Sequence, residues 1–278
     1  MDQNSPTIRF SNPIRVENKK EVLKLKISRE DRFLIKNQEP LAAIWRGDNE
    51  SSAFYAWISK TTEKIIDPKE LDMMNHYLQD RIDQDYELED IVAPLLGIIE
   101  SGIYQIFYHE PLPCSPPNNK KRIPNYPLAN NFWIEKILNN KKSNVWIDSS
   151  VIFTQDVTTL NWSRIDFYKE SIQAGKRPTI VTMALAELEF LTTQEYLNKV
   201  NENEFTSFLA LEYGSESIYP QMIIDGHHKA KAYIELNEKP SILNITKLHF
   251  KEEFENNMWN SKYVKEGIEN SIGEKLYI

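Results

Sequence analysis

The chain has 278 residues, a formal net charge of −8, 41% hydrophobic and 11% aromatic residues, and one cysteine. That apolar content is enough to bury a core, which argues against global disorder. The acidic balance counts against a protein that coats nucleic acid or an anionic membrane. The lone Cys114 rules out a disulfide framework or a thiolate metal cluster and fits a reducing compartment.

The opening stretch MDQNSPTIRFSNPIRVENKK has no apolar segment behind a basic start, so no signal peptide is expected. The longest apolar run, IVAPLLGII at 91–99, is too short to span a bilayer. A soluble, cytoplasmic protein is expected.

Between residues 5 and 60 the runs TIRF, VLKLKIS, RFLIK, LAAIWRG and AFYAWIS alternate with turn residues and predict a small antiparallel sheet. Trp45 and Trp57 in these runs are read as core. Asp67-Pro68 then marks a helix start, with Leu71, Met74, Tyr77, Leu78 and Ile82 at helical spacing. A second helix and an edge strand are expected over YELEDIVAPLLGIIESGIYQIFYHE. The segment PLPCSPPNNKKRIPNYP at 111–127 is dense in proline, which blocks helix and ladder alike. It reads as a linker, followed by a short bridging helix, NNFWIEKILNN.

Past that segment, NVWID (144–148) predicts a strand and residues 161–175 an amphipathic helix with Ile165, Tyr168 and Ile172 inward and Gly175 at its end. RPTIVTMA predicts a strand, and residues 186–220 a mostly helical stretch. A strand at 221–224, a turn, a helix over about 227–236 and a last strand, SILNITKLHF, complete the α+β pattern.

The turn is the chemically richest part of the chain. Asp225 and Gly226 end a strand and lead directly into a helix, whose first N–H groups have no intrahelical partner. With the helix dipole they make a ready anion site, and Gly226 lets a phosphate approach the backbone. His227, His228 and Lys229 add donors or charge there. Asp225 would repel a phosphate unless it holds a metal ion or acts on a substrate hydroxyl. Two other readings stay open. Asp225 caps the helix and the histidines are solvated, or the histidine pair binds a metal, for which adjacent positions on a helix are poorly spaced. Arg164, Lys169, Lys176 and Arg177 lie near enough in sequence to meet phosphates, or they form a solvated helix face.

The order VWIDSSVIFTQ, RIDFYKESIQAGKRPTIVTM and YPQMIIDGHHKAKAYIELNEKPSILNITKL resembles the ParB/sulfiredoxin-like superfamily over about residues 144–250. The Asp-Gly-His-His form is similar to its free serine kinase-like branch. The strand and helix pattern with its proline-rich break divides the chain into an N-terminal mixed β/α domain at 1–110, of no recognised kind, and a linker and bridging helix at 111–142. The resemblance implies a nucleotide-binding α/β domain at 143–255 with a helical insertion at 184–220, which leaves a tail at 256–278. It further implies that Gly226, His227, His228, Lys229, Gln155 and Thr154 bind a nucleotide, ATP or CTP. Asp225 and Asp156 become the catalytic acids, with Asp148 a weaker candidate, and Asp225 holds Mg2+. A phosphotransferase or nucleotidase acting on an unidentified small molecule follows. The alternatives are a non-catalytic nucleotide-binding or protein-interaction module, its partner met through the N-terminal domain, and a ParB-like nuclease.

The motif departs from the superfamily pattern in lacking a cysteine, which excludes sulfiredoxin chemistry. Lys229 stands where arginine is usual, and about 37 residues separate two strands that are usually joined by a short link. DNA and membranes are not expected as partners.

Overall fold

A computed structural model describes residues 8–18, 22–28, 31–36, 39–46, 54–58, 66–109, 151–152, 154–155, 159–188, 192–201, 221–238 and 240–251. The elements are β1 (Ile8–Phe10), β2 (Ile14–Val16), β3 (Leu23–Ser28), β4 (Asp31–Lys36), β5 (Glu39–Arg46), β6 (Phe54–Ile58), α1 (Pro68–Leu78), α2 (Leu88–Leu96), β7 (Gly102–His109) and β8 (Val151–Ile152). After these come α3 (Trp162–Gln173), β9 (Thr179–Leu188), α4 (Thr193–Asn201), β10 (Gln221–Asp225), α5 (His227–Leu236) and β11 (Ser241–Phe250). The class is α+β. Among the described residues no helix is long and apolar enough to cross a membrane.

Strands β3, β4, β5 and β6 form a four-stranded antiparallel meander, as their alternation predicts, but the first run expected in that sheet, TIRF, supplies β1 and pairs with β7 in the central sheet instead. The side chains of Trp45 and Trp57, expected in the core, lie outside the described residues.

The central sheet is mixed, in the order β1-β7-β11-β9-β10-β8, with β2 following β1 along the same edge of β7. Pro13 lacks an N–H and interrupts that edge. Ser11 repairs the break: its N–H donates to Ile106 O at 2.9 Å and its hydroxyl accepts the Ile106 N–H at 2.9 Å. Strand β11 is buried along its whole length, as a strand covered on both faces must be. It pairs parallel with β9, from Ser241↔Thr179 to Phe250↔Leu188, and antiparallel with β7, from Ile242↔His109 to Leu248↔Ile103.

Three expectations are revised here. Strand β7 is interior, not an edge, because β11 and the β1/β2 edge flank it on both sides. The sheet also takes strands from either side of the proline-rich segment, so the boundary expected at 111–142, itself outside the described residues, is bridged by the β7–β11 ladder. The insertion expected at 184–220 begins as strand, since β9 runs on to Leu188. Helix α4 follows it, and 202–220 lie outside the described residues.

The helices start and stop where side-chain chemistry dictates. Asp67 caps α1 by accepting the Lys69 N–H at 2.8 Å, with Pro68 at the first turn. Asn161 caps α3 through the Ser163 N–H at 3.0 Å, and Ile165, Tyr168 and Ile172 turn inward as their spacing predicts. Gly175, at φ 91°, follows the end of α3. Helices α3 and α5 pack side by side, which brings both of their N-termini to one end of the sheet.

Candidate functional site

Strand β10 carries Asp225 at its C-terminal end and hands over to α5 through Gly226. Gly226 is left-handed at φ 93°, and a Cβ there would lie 3.1–3.3 Å from Ile180 atoms. Both the backbone angle and the close approach to β9 require glycine. No side chain caps α5, and the first intrahelical bond runs from the Ala230 N–H to Gly226 O at 2.8 Å. The earlier amides of this turn therefore have no partner within the helix, and they carry its positive end.

The two adjacent histidines point to different partners, since consecutive helical residues sit about 100° apart around the axis. His227 is buried, and its Nε2 lies 3.0 Å from Thr154 Oγ1. The Thr154 hydroxyl already donates to Ile223 O, so Nε2–H is the donor in this pair, and that tautomer leaves no Nε2 lone pair for the Thr154 N–H 3.4 Å away. Burial pushes the His227 pKa down to about 4, against the opposing charge of Asp225. His228 Nε2 accepts the Asn161 N–H at 3.0 Å, which places its ring proton on Nδ1. Burial first, and the Arg164 charge second, lower its pKa to about 4. At neutral pH both rings are uncharged, and they pin the two ends of the segment between β8 and α3.

Lys229 points inward, behind the turn. Its side chain is 2% exposed, and Nζ donates to Leu78 O at 3.0 Å and Thr179 O at 3.1 Å. Burial lowers its pKa, while Asp225, 3.9 Å away, opposes that. Asp225 Oδ2 is buried and has no hydrogen-bond donor among the described residues.

The structure brings Thr154, Asp225, Gly226, His227, His228 and Lys229 to one place, with Gln155 next to Thr154 in the chain. Gln155 Nε2 donates to Thr159 Oγ1 at 3.3 Å. Asp156 and Asp148 lie outside the described residues. Of the expected basic cluster, Arg164 is near enough for its charge to act on His228 and Lys229. Lys169 is taken by Glu235 (3.1 Å) and Asp166 (3.4 Å), which raise its pKa, and Arg177 by Glu238 at 2.6 Å. Exposed Trp162, at the first position of α3, was not singled out from the sequence, where nothing distinguishes it from a core aromatic. Among the described residues no group of three or more His, Cys, Asp or Glu gathers to hold a metal. Comparison of the chain with protein-family models, with curated proteins and with solved structures finds no match.

Proposed function

We propose that the chain binds nucleotide phosphates on the first turn of α5 and acts on them as a phosphotransferase or nucleotidase, with ATP and Mg2+. The supporting observation is the Asp225–Gly226 junction. An uncapped helix start behind a left-handed glycine stands beside a carboxylate oxygen that lacks a donor. The amides of the turn would hold phosphate oxygens, and Arg164 would add charge from α3.

Asp225 is the candidate to accept a proton from an attacking hydroxyl or to hold the cation. Mg2+ takes only one or two carboxylates when substrate phosphates complete its shell, so a single acid at the turn fits it. When bound, the ion neutralises charge on the transferred group. The histidines orient the site from behind, and Lys229 is assigned no phosphate contact. The order β8, α3, β9, β10, α5, β11, interrupted by α4 between β9 and β10, supports reading residues 143–255 as a ParB/sulfiredoxin-like domain.

Thermal unfolding against ATP, ADP, CTP and GTP, each with and without Mg2+, tests binding by mass action. A selective upward shift in wild type, lost in Gly226→Val, is expected. No shift with any nucleotide at millimolar concentration would sink the proposal. Asp225→Asn should keep the shift and lose turnover. Among the described residues Asp225 is the one acid at the turn, and this favours a second reading, binding without turnover. That reading predicts the same shift with no phosphate released.

A further inference from the structure

We propose that Lys229 is a positioning residue: capture of its ammonium by the C-terminal end of α1 keeps it off Asp225, so that docking of residues 78–82 and the availability of the Asp225 carboxylate are coupled. The functional consequence rests on the phosphate-site reading, but the coupling does not.

The argument is one of competing acceptors. An ammonium has three protons, and Leu78 O and Thr179 O take two at 3.0 and 3.1 Å. Asp225 Oδ2, at 3.9 Å, is within ion-pair reach but beyond a hydrogen bond. Leu78 is the last residue of α1, where carbonyls lack intrahelical partners and the dipole is negative.

The chain beyond Leu78 is fastened to the central sheet and the turn before it. Asp80 Oδ1 accepts the Arg177 N–H at 2.7 Å, Asp80 O accepts the Thr179 hydroxyl at 3.0 Å, and the Ile82 N–H donates to the Tyr108 hydroxyl at 3.0 Å. If this segment lifts, Lys229 loses Leu78 O while still buried, and a buried ammonium closes on the nearest carboxylate. Asp225 is then occupied. With the segment docked, its oxygen is open to a cation or a substrate hydroxyl. A ligand that uses that oxygen therefore favours docking, and docking favours the ligand by the same factor.

Amide hydrogen exchange on the full chain tests this. In Lys229→Met the Ile82 and Arg177 amides should exchange faster by roughly tenfold, the loss of a charged hydrogen bond, whereas in Asp225→Asn they should hold or slow. Mg·ATP should slow them in wild type and not in Lys229→Met. Unchanged amides in Lys229→Met, or equal acceleration in Asp225→Asn, would overturn the proposal, because the lysine would then be held by the carboxylate and not by α1. Should Lys229→Met fail to fold, Asp80→Ala loosens the segment from its own side. It should speed exchange at Ile82 and move the Lys229 ammonium resonance, and an unmoved resonance counts against the coupling. A wild-type chain that ignores Mg·ATP defeats the nucleotide reading alone, and the comparison of the two variants still decides the coupling.

Discussion

His228 Nε2 accepts the backbone N–H of Asn161 at 3.0 Å, so the second residue of α5 holds the residue that caps α3. One position earlier, His227 holds Thr154. Side by side in sequence, the two rings fasten opposite ends of one connecting segment, and this gives an adjacent pair a role that metal ligation would not.

Acid sensitivity follows from these contacts. Both rings have folded pKa values near 4, against an ordinary value of 6.5. Above pH 6.5 both states are neutral and the contribution to stability is complete. Between 6.5 and 4 the unfolded chain takes up protons that the folded chain refuses, so stability falls. For buried His227 the slope reaches at most about 1.4 kcal/mol per pH unit. Urea unfolding at pH 7.5, 5.5 and 4.5 should show this decline. It should be shallower in His228→Gln, whose amide oxygen can still accept the Asn161 N–H but does not titrate. An equal decline in the variant would remove His228 from the account.

Glycine replacements should separate backbone strain from crowding. Gly175 and Gly226 have nearly the same φ, 91° and 93°, but only Gly226 has neighbours within 4 Å of an added Cβ. Gly175→Ala is expected to cost about 1 kcal/mol, the left-handed penalty alone. Gly226→Ala should cost about 1–3 kcal/mol more, because Ile180 is backbone-anchored and yields little. Thermal unfolding of the pair decides it, and equal losses would mean that β9 gives way at Ile180.

Local chemistry was legible in the sequence, and distant pairing was not. Asp67-Pro68, Gly175 and the stripe Ile165, Tyr168 and Ile172 act where short-range rules put them, because caps and helical faces depend on neighbours a few residues away. Strand β7 read as an edge because its partner β11 lies far along the chain. Lys229 read as a phosphate ligand for the same reason: the carbonyl that holds it is 151 positions away, at Leu78. The turn itself, Asp225–Gly226 before a helix, was visible as a unit. The inward direction of His227 and Lys229 was not, since a helical stretch of basic residues gives no sign of which face a sheet will cover.

The same limit applies to Glu100 and Lys247, an ion pair at 3.3 Å with side chains 3% and 4% exposed. Glu100 also accepts the Leu25 N–H at 2.8 Å, and its own N–H donates to Leu23 O at 2.8 Å, so the pair sits where β3 joins the central sheet. Removing one charge leaves the other buried, which costs about 3–5 kcal/mol. Glu100→Gln keeps an acceptor for Leu25 while stranding Lys247, and Lys247→Met strands Glu100. Each single variant should be strongly destabilised in urea. The double variant, with no charge left to strand, should recover much of that loss and show a coupling well above the about 0.5 kcal/mol expected of independent sites. Additive losses would mean that the two charges are solvated separately and that the join between the sheets rests on the main-chain bonds of Val22 and Leu23 to Ile98 and of Glu100 to Leu23.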